Sequence, residues 1–104
     1  MSVESRLDEL TVRDNAEQRR YEARIGTKVV GVISYHAEPG LPGLLTLVHT
    51  EVDPAFEGKG VGSRLVAGAL EDIRRRGQSL VPLCPFVRAY LRRHPEHADL
   101  VASG

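Results

Sequence analysis

The strongest constraint on this chain is a change of hydrophobic period across a run of glycines. In "RYEARI", Tyr21, Ala23 and Ile25 alternate with Arg20, Glu22 and Arg24. That period of two buries one face of a strand and leaves the other outside. Further on, Val61, Leu65, Val66, Ala69, Leu70 and Ile73 form one apolar stripe at helical spacing. Between these blocks, Gly58, Gly60 and Gly62 stand at alternate positions. A chain written this way lays down strands first, turns through the glycines, and then packs a helix on what it has built.

The remaining elements follow from local chemistry. "LTV" at 10–12 reads as a short strand, and Asp14-Asn15 as a turn. Gly26-Thr27 fits a two-residue hairpin turn with glycine first. Residues 28–36 are β-rich and apolar on both faces, which predicts an inner strand. The Pro and Gly of 38–43 mark a loop, and 44–53 a second long strand. The helix ends with Arg74, Arg75 and Arg76 in its last turn, where cations complement the dipole, and with Gly77 as its stop. A short strand at 79–83 precedes Pro85, which opens a second helix. Phe86 and Leu91 are expected in its core face, and His94 before Pro95 ends it. Residues 95–101 read as one more turn. The order β-β-β-β-α-β-α predicts one α/β (α+β) domain over 10–104, with residues 1–9 a polar, disordered N-terminus.

Bulk properties narrow the function classes. Residues 1–53 carry six Lys/Arg against nine Asp/Glu, and residues 54–104 eight against five. A surplus that small argues against nucleic acid, which selects a concentrated basic face. It is compatible with a small anionic ligand on the C-terminal half. One cysteine, Cys84, permits no internal disulfide, and a reducing, cytoplasmic setting is expected. No secretory or membrane-spanning run is read in the chain. No close His/Cys/Asp spacing suggests a metal site.

The glycine run has an ordinary reading, a tight strand-to-helix connection, and a sharper one. A helix N-terminus presents unsatisfied backbone N–H groups and partial positive charge. Side chains missing at alternate positions let a phosphate touch those donors. The Walker A pattern fails, because Asp53 stands where its first glycine is required and Gly60 follows Lys59. The dinucleotide pattern fails at Ser63.

"EGKGVGSRL", after a long strand and before an amphipathic helix, resembles motif A of the GNAT acetyltransferases, Q/R-x-x-G-x-G/A. Gly60 and Gly62 match its glycines, and Glu57 departs from its Q/R position. With "HTEV" and "PLCPFVRAYLRRHPE", the chain is similar to the short YjdJ-type group of that superfamily over about residues 10–101. The resemblance implies a compact, mixed, mostly antiparallel sheet with splayed parallel strands, two main helices and a truncated N-terminal region. It implies acetyl-CoA as cosubstrate and an amine acceptor. The pantetheine arm would lie along Glu51, Val52 and Asp53. The pyrophosphate would lie on the amides of Gly58, Lys59, Gly60, Val61, Gly62 and Ser63, with Lys59 and Arg64 adding charge. Tyr90 and Arg93, three apart on the second helix, would line the cofactor's outer end.

Three residues are candidates for the chemistry. Cys84, as N-cap of the second helix, sees a dipole that favours thiolate, and the resemblance places "PLCPF" beside the acyl end of the cofactor. The competing reading is a small buried hydrophobe. His49 and Glu51 share a strand face, and His49 is a candidate base toward an amine or toward Cys84. Two routes stay open: direct attack of the amine on the thioester, which the superfamily mostly uses, and passage of the acetyl group through Cys84. A CoA-binding module with little turnover is the alternative function. A thiol redox protein is disfavoured, since no second cysteine resolves an oxidised one.

Overall fold

The computed structural model describes residues 7–102. Five strands form one sheet in the order β1-β2-β3-β4-β5. They are β1 (Leu10–Asn15), β2 (Arg20–Ile25), β3 (Lys28–Ala37), β4 (Leu44–Val52) and β5 (Ser79–Pro82). Neighbours from β1 to β4 pair antiparallel, and β4 with β5 is parallel. Helix α1 (Val61–Arg75) crosses from β4 to β5, and α2 (Pro85–Arg93) leads from β5 into a 3-10 turn at Pro95–Leu100. Val101 then bridges Leu80 in parallel, on the free edge of β5. Mixed sheet and helices together make an α+β fold, as the hydrophobic periods predict.

Two of the expected boundaries move. Asp14 and Asn15 lie inside β1, paired with Tyr21 and Arg20. The turn comes just after them, where the Asn15 side chain accepts the Gln18 N–H at 3.1 Å. Of the N-terminus expected to be disordered, Leu7–Glu9 form a 3-10 turn, and residues 1–6 lie outside the described residues. The Gly26 turn forms as expected, with φ 61° at the glycine.

Both helices cover the same sheet face. The apolar stripe of α1 is buried along its whole length, from Val61 to Ile73, and joins Tyr21, Ala23, Ile25, Ile33, Leu47 and Leu80 in one core that also takes in Val87 and Tyr90 of α2. Burying each Leu, Ile or Val side chain there contributes about 1.5–3 kcal/mol. Two glycines permit the close approach. A Cβ on Gly68 would lie 2.6 Å from Val12, and one on Gly31 3.3 Å from Val61.

Polar ties fix the C-terminal end of α1 to the sheet. The buried Tyr21 hydroxyl donates to Asp72 at 2.8 Å, and the Tyr35 hydroxyl to Asp14 at 2.6 Å. Arg76 bridges the two carboxylates, at 3.1 Å from Asp14 and 3.2 Å from Asp72. Burial, reinforced by those carboxylates, pushes both tyrosines well above the usual phenol range.

The opposite face of the sheet carries no helix among the described residues. Glu22 points there, yet it is 1% exposed, against the alternation expected of "RYEARI". Arg20, Arg24 and Asn15 close over it, their donors 2.7, 2.5 and 3.0 Å from its carboxylate oxygens. Burial by itself would raise this carboxyl; the three donors outweigh it and hold it below the usual range.

Candidate functional site

The site starts from a defect in β4. Ser34 pairs with His49 and Tyr35 with Leu47, which leaves Val48 as an extra residue. A bulge of this kind reverses which side chains face which way. Leu45 and Leu47 face the helices, and beyond the bulge Thr50 and Val52 rejoin them, opposite Ile33 and Gly31. His49 and Glu51 are turned to the helix-free face.

A second departure is the parting of β4 from β5. Their pairing runs from Leu44↔Ser79 to Leu47↔Pro82 and stops. The N–H groups of Leu83 and Cys84 both donate to the Leu47 carbonyl at 3.0 Å as the chain turns away into α2. From Val48 to Val52, β4 runs on beside a gap. The Asp53 N–H donates to Val30 O at 2.8 Å. Antiparallel alternation then directs the main chain of Glu51 and His49 toward β3, and that of Thr50 and Val52 into the gap.

The glycine loop closes one end of this gap. Asp53 Oδ1 accepts the Ala55 N–H at 2.9 Å and fixes a 3-10 turn, Pro54–Phe56, whose Phe56 is buried. Gly58 and Gly60 follow with φ of 77° and 80°, the left-handed region that favours glycine. Gly60 caps α1 without a side-chain bond, and its carbonyl accepts the Arg64 N–H at 3.1 Å. The amides of Val61, Gly62 and Ser63 therefore open the helix without a side-chain cap.

The three glycines do not share one purpose. A Cβ on Gly58 or Gly60 would meet nothing within 4 Å, whereas one on Gly62 would lie 2.6 Å from Phe86 Cζ. Gly62 is small so that α2 can dock on α1. The resulting cleft, about 390 Å³, is lined by Thr50, Val52, Gly58, Gly60, Ser63 and Phe86 among others.

Cys84 is the N-cap of α2, is 2% exposed, and sits with Sγ 3.2 Å from Thr50 Oγ1. His49 Nε2 lies 3.3 Å from Glu51 Oε1, and both side chains are more than half exposed on the other side of β4. The structure brings His49 to Glu51 and Thr50 to Cys84, and it separates the two pairs. His49 lines a second cleft, about 640 Å³, with Val32, Glu51, Asp53 and Glu57. The two clefts share Thr50, Val52 and Glu57. Strict alternation along "HTEV" does not reveal Thr50, because the bulge that exposes it to Cys84 depends on the partner strand.

The other expected residues are placed as follows. Asp53 is occupied as the turn's cap. Lys59 stands in the loop between the two left-handed glycines. Arg64 does not line the 390 Å³ cleft, and its guanidinium donates to the Leu7 carbonyl at 2.6 Å. Tyr90 is 7% exposed, belongs to the core, and stacks on His94 at 4.2 Å between ring centroids. Arg93 is exposed in the last turn of α2. Phe86, expected in the core, is 39% exposed and walls the cleft instead. Among the described residues, no group of three or more His, Cys, Asp and Glu side chains is placed to hold a metal ion. No described helix is long and apolar enough to cross a membrane.

The GCN5-related N-acetyl-transferase family matches residues 20–100, from β2 through the 3-10 turn after α2. The chain belongs to this family. Two solved structures share the GNAT-type fold. One is the solution structure of a GCN5-like candidate N-acetyltransferase from Staphylococcus aureus, at TM-score 0.66 and 18% identity, over 92% of this chain and 91% of that one. The other is a candidate GNAT-family acetyltransferase from Desulfovibrio desulfuricans, at TM-score 0.51 and 25% identity. That match covers 76% of this chain and 52% of the longer protein. No curated protein matches this GNAT-family chain.

Proposed function

We propose that this chain is a small acetyl-CoA-dependent N-acetyltransferase acting on an amine, with a protein or peptide amine as the acceptor. The observation that carries the reading is the continuity of one cleft. It runs from the uncapped amides at the start of α1 along Val52 to Thr50, whose hydroxyl in turn contacts the buried Cys84. Anions are stabilised at such helix starts, and the open space at Gly58 and Gly60 leaves room for a diphosphate on the amides from Gly58 to Ser63. The gap-facing main chain of Thr50 and Val52 would hold the pantetheine amides.

The cosubstrate supplies an activated thioester. In direct transfer, the amine nitrogen attacks the thioester carbon, a C–N bond forms and the C–S bond breaks. The thiolate of CoA leaves and takes up a proton, and the amine's proton passes to His49, Glu51 or water. In the covalent route, the acetyl group first moves from the CoA sulfur to Cys84 Sγ and then to the amine. The separation of His49 from Cys84 favours the direct route, because it leaves that base on the acceptor side of β4. The same separation keeps a second reading in play, a CoA-binding module with little turnover. The narrower YjdJ-type grouping rests on "PLCPFV" and "HPE", and the cytoplasmic setting on the single cysteine.

The test has two stages. Acetyl-CoA at about 100 times its Kd should stabilise the fold by about 2.7 kcal/mol, read as a raised unfolding midpoint. Thiol release with a panel of amines follows. No midpoint shift removes the reading. A shift without thiol release selects the binding module. An acetyl adduct on Cys84, together with lost activity in Cys84→Ala, selects the covalent route.

A further inference from the structure

We propose that Glu57 sets the charge selectivity of this site, loosening its hold on the diphosphate while drawing a cationic acceptor to the other side of β4. The inference rests on the N-acetyltransferase reading above and adds to it the class of acceptor. Glu57 is held by its backbone, its N–H donating to Pro54 O at 3.3 Å, while its side chain is exposed. It lines both clefts. Among the residues lining the 390 Å³ cleft it is the one with a charged side chain. The amides that open α1 attract an anion, and a carboxylate at the same mouth opposes one.

On the other side, the same carboxylate faces a cleft of opposite character. Val29 and Val32 give that cleft apolar surface, and Glu51 and Asp53 join Glu57 among its lining residues, Asp53 already capping Ala55 and lying 3.9 Å from Lys28. Its one arginine, Arg20, is engaged with Glu22 at 2.7 Å, and His49 is paired with Glu51. Apolar surface beside carboxylates suits an alkyl chain ending in an ammonium group. Because one carboxylate borders both spaces, removing its charge should shift the two affinities in opposite directions. A general loosening of the fold would shift both the same way.

The experiment is calorimetric titration of the wild-type chain, Glu57→Gln and Glu57→Asp with coenzyme A, pantetheine and pentane-1,5-diamine, at low and high salt. An exposed unit charge near the ligand corresponds to roughly a threefold effect. Glu57→Gln should bind coenzyme A roughly threefold more tightly at low salt, with the difference fading at high salt. It should bind pantetheine, which lacks the diphosphate, as the wild type does, and bind the diamine at least roughly threefold more weakly. Glu57→Asp should keep the wild-type pattern. The proposal is overturned if coenzyme A and pantetheine respond alike, if the diamine binds Glu57→Gln as well as the wild type, or if the diamine does not bind the wild type. Failure of the wild type to bind coenzyme A at all would instead overturn the reading on which the proposal stands.

Discussion

Gly62 shows how one missing side chain serves packing beside a site that serves chemistry. Any Cβ there meets the Phe86 ring at 2.6 Å. Gly62→Ala should therefore cost about 1–3 kcal/mol as an overpacked contact. Phe86→Ala in the same chain should recover part of that loss, and denaturant unfolding of the two single variants and the double variant measures the coupling. Glu22 gives the acid limb of stability. Its carboxyl titrates below the usual value of 4.5 in the folded protein. The stability it contributes is thus fully present above that usual value and is lost as pH falls through the lower folded value. Glu22→Gln should flatten the dependence of the unfolding midpoint over that acid window. At this scale the core was largely legible: the six stripe residues of α1 are all buried. Phe86 and Tyr90 were not. Helix α2 is only nine residues long, and a stripe that short does not say which of two aromatic residues faces inward.

Among the elements, order and type were readable because each strand and helix carries its own period, cap or turn. The bulge in β4 was not. It arises from the pairing of Ser34 with His49 and of Tyr35 with Leu47, and nothing within "LLTLVHTEV" marks Val48 as the extra residue. Its consequence for the site is large, since it turns Thr50 and Val52 toward the helices and leaves His49 and Glu51 behind. Deleting Val48 should restore plain alternation, turning Thr50 and Val52 away from the helices or shifting the strand's register. The expected result is a chain that still folds, shown by circular dichroism and a cooperative unfolding transition, with coenzyme A binding by titration reduced at least about tenfold. That factor is the loss of roughly one net hydrogen bond. The parting of β4 and β5 was expected only through the family resemblance. Strand lengths hint at it, nine residues against four, but length alone does not say which end stays unpaired.

On the scale of the whole molecule, the helices and the core they build lie on one side of the sheet, and the His49 cleft opens on the other. On the proposed function, each reactant has its own doorway, and neither has to vacate the protein before the other comes aboard. Initial rates measured against acetyl-CoA at several fixed amine concentrations should then give reciprocal plots that cross. Parallel lines would mean instead that the acetyl group is parked on Cys84 between two separate visits. A sheet face free of helices among the described residues thus lets, on that proposal, the second reactant come in without displacing the first.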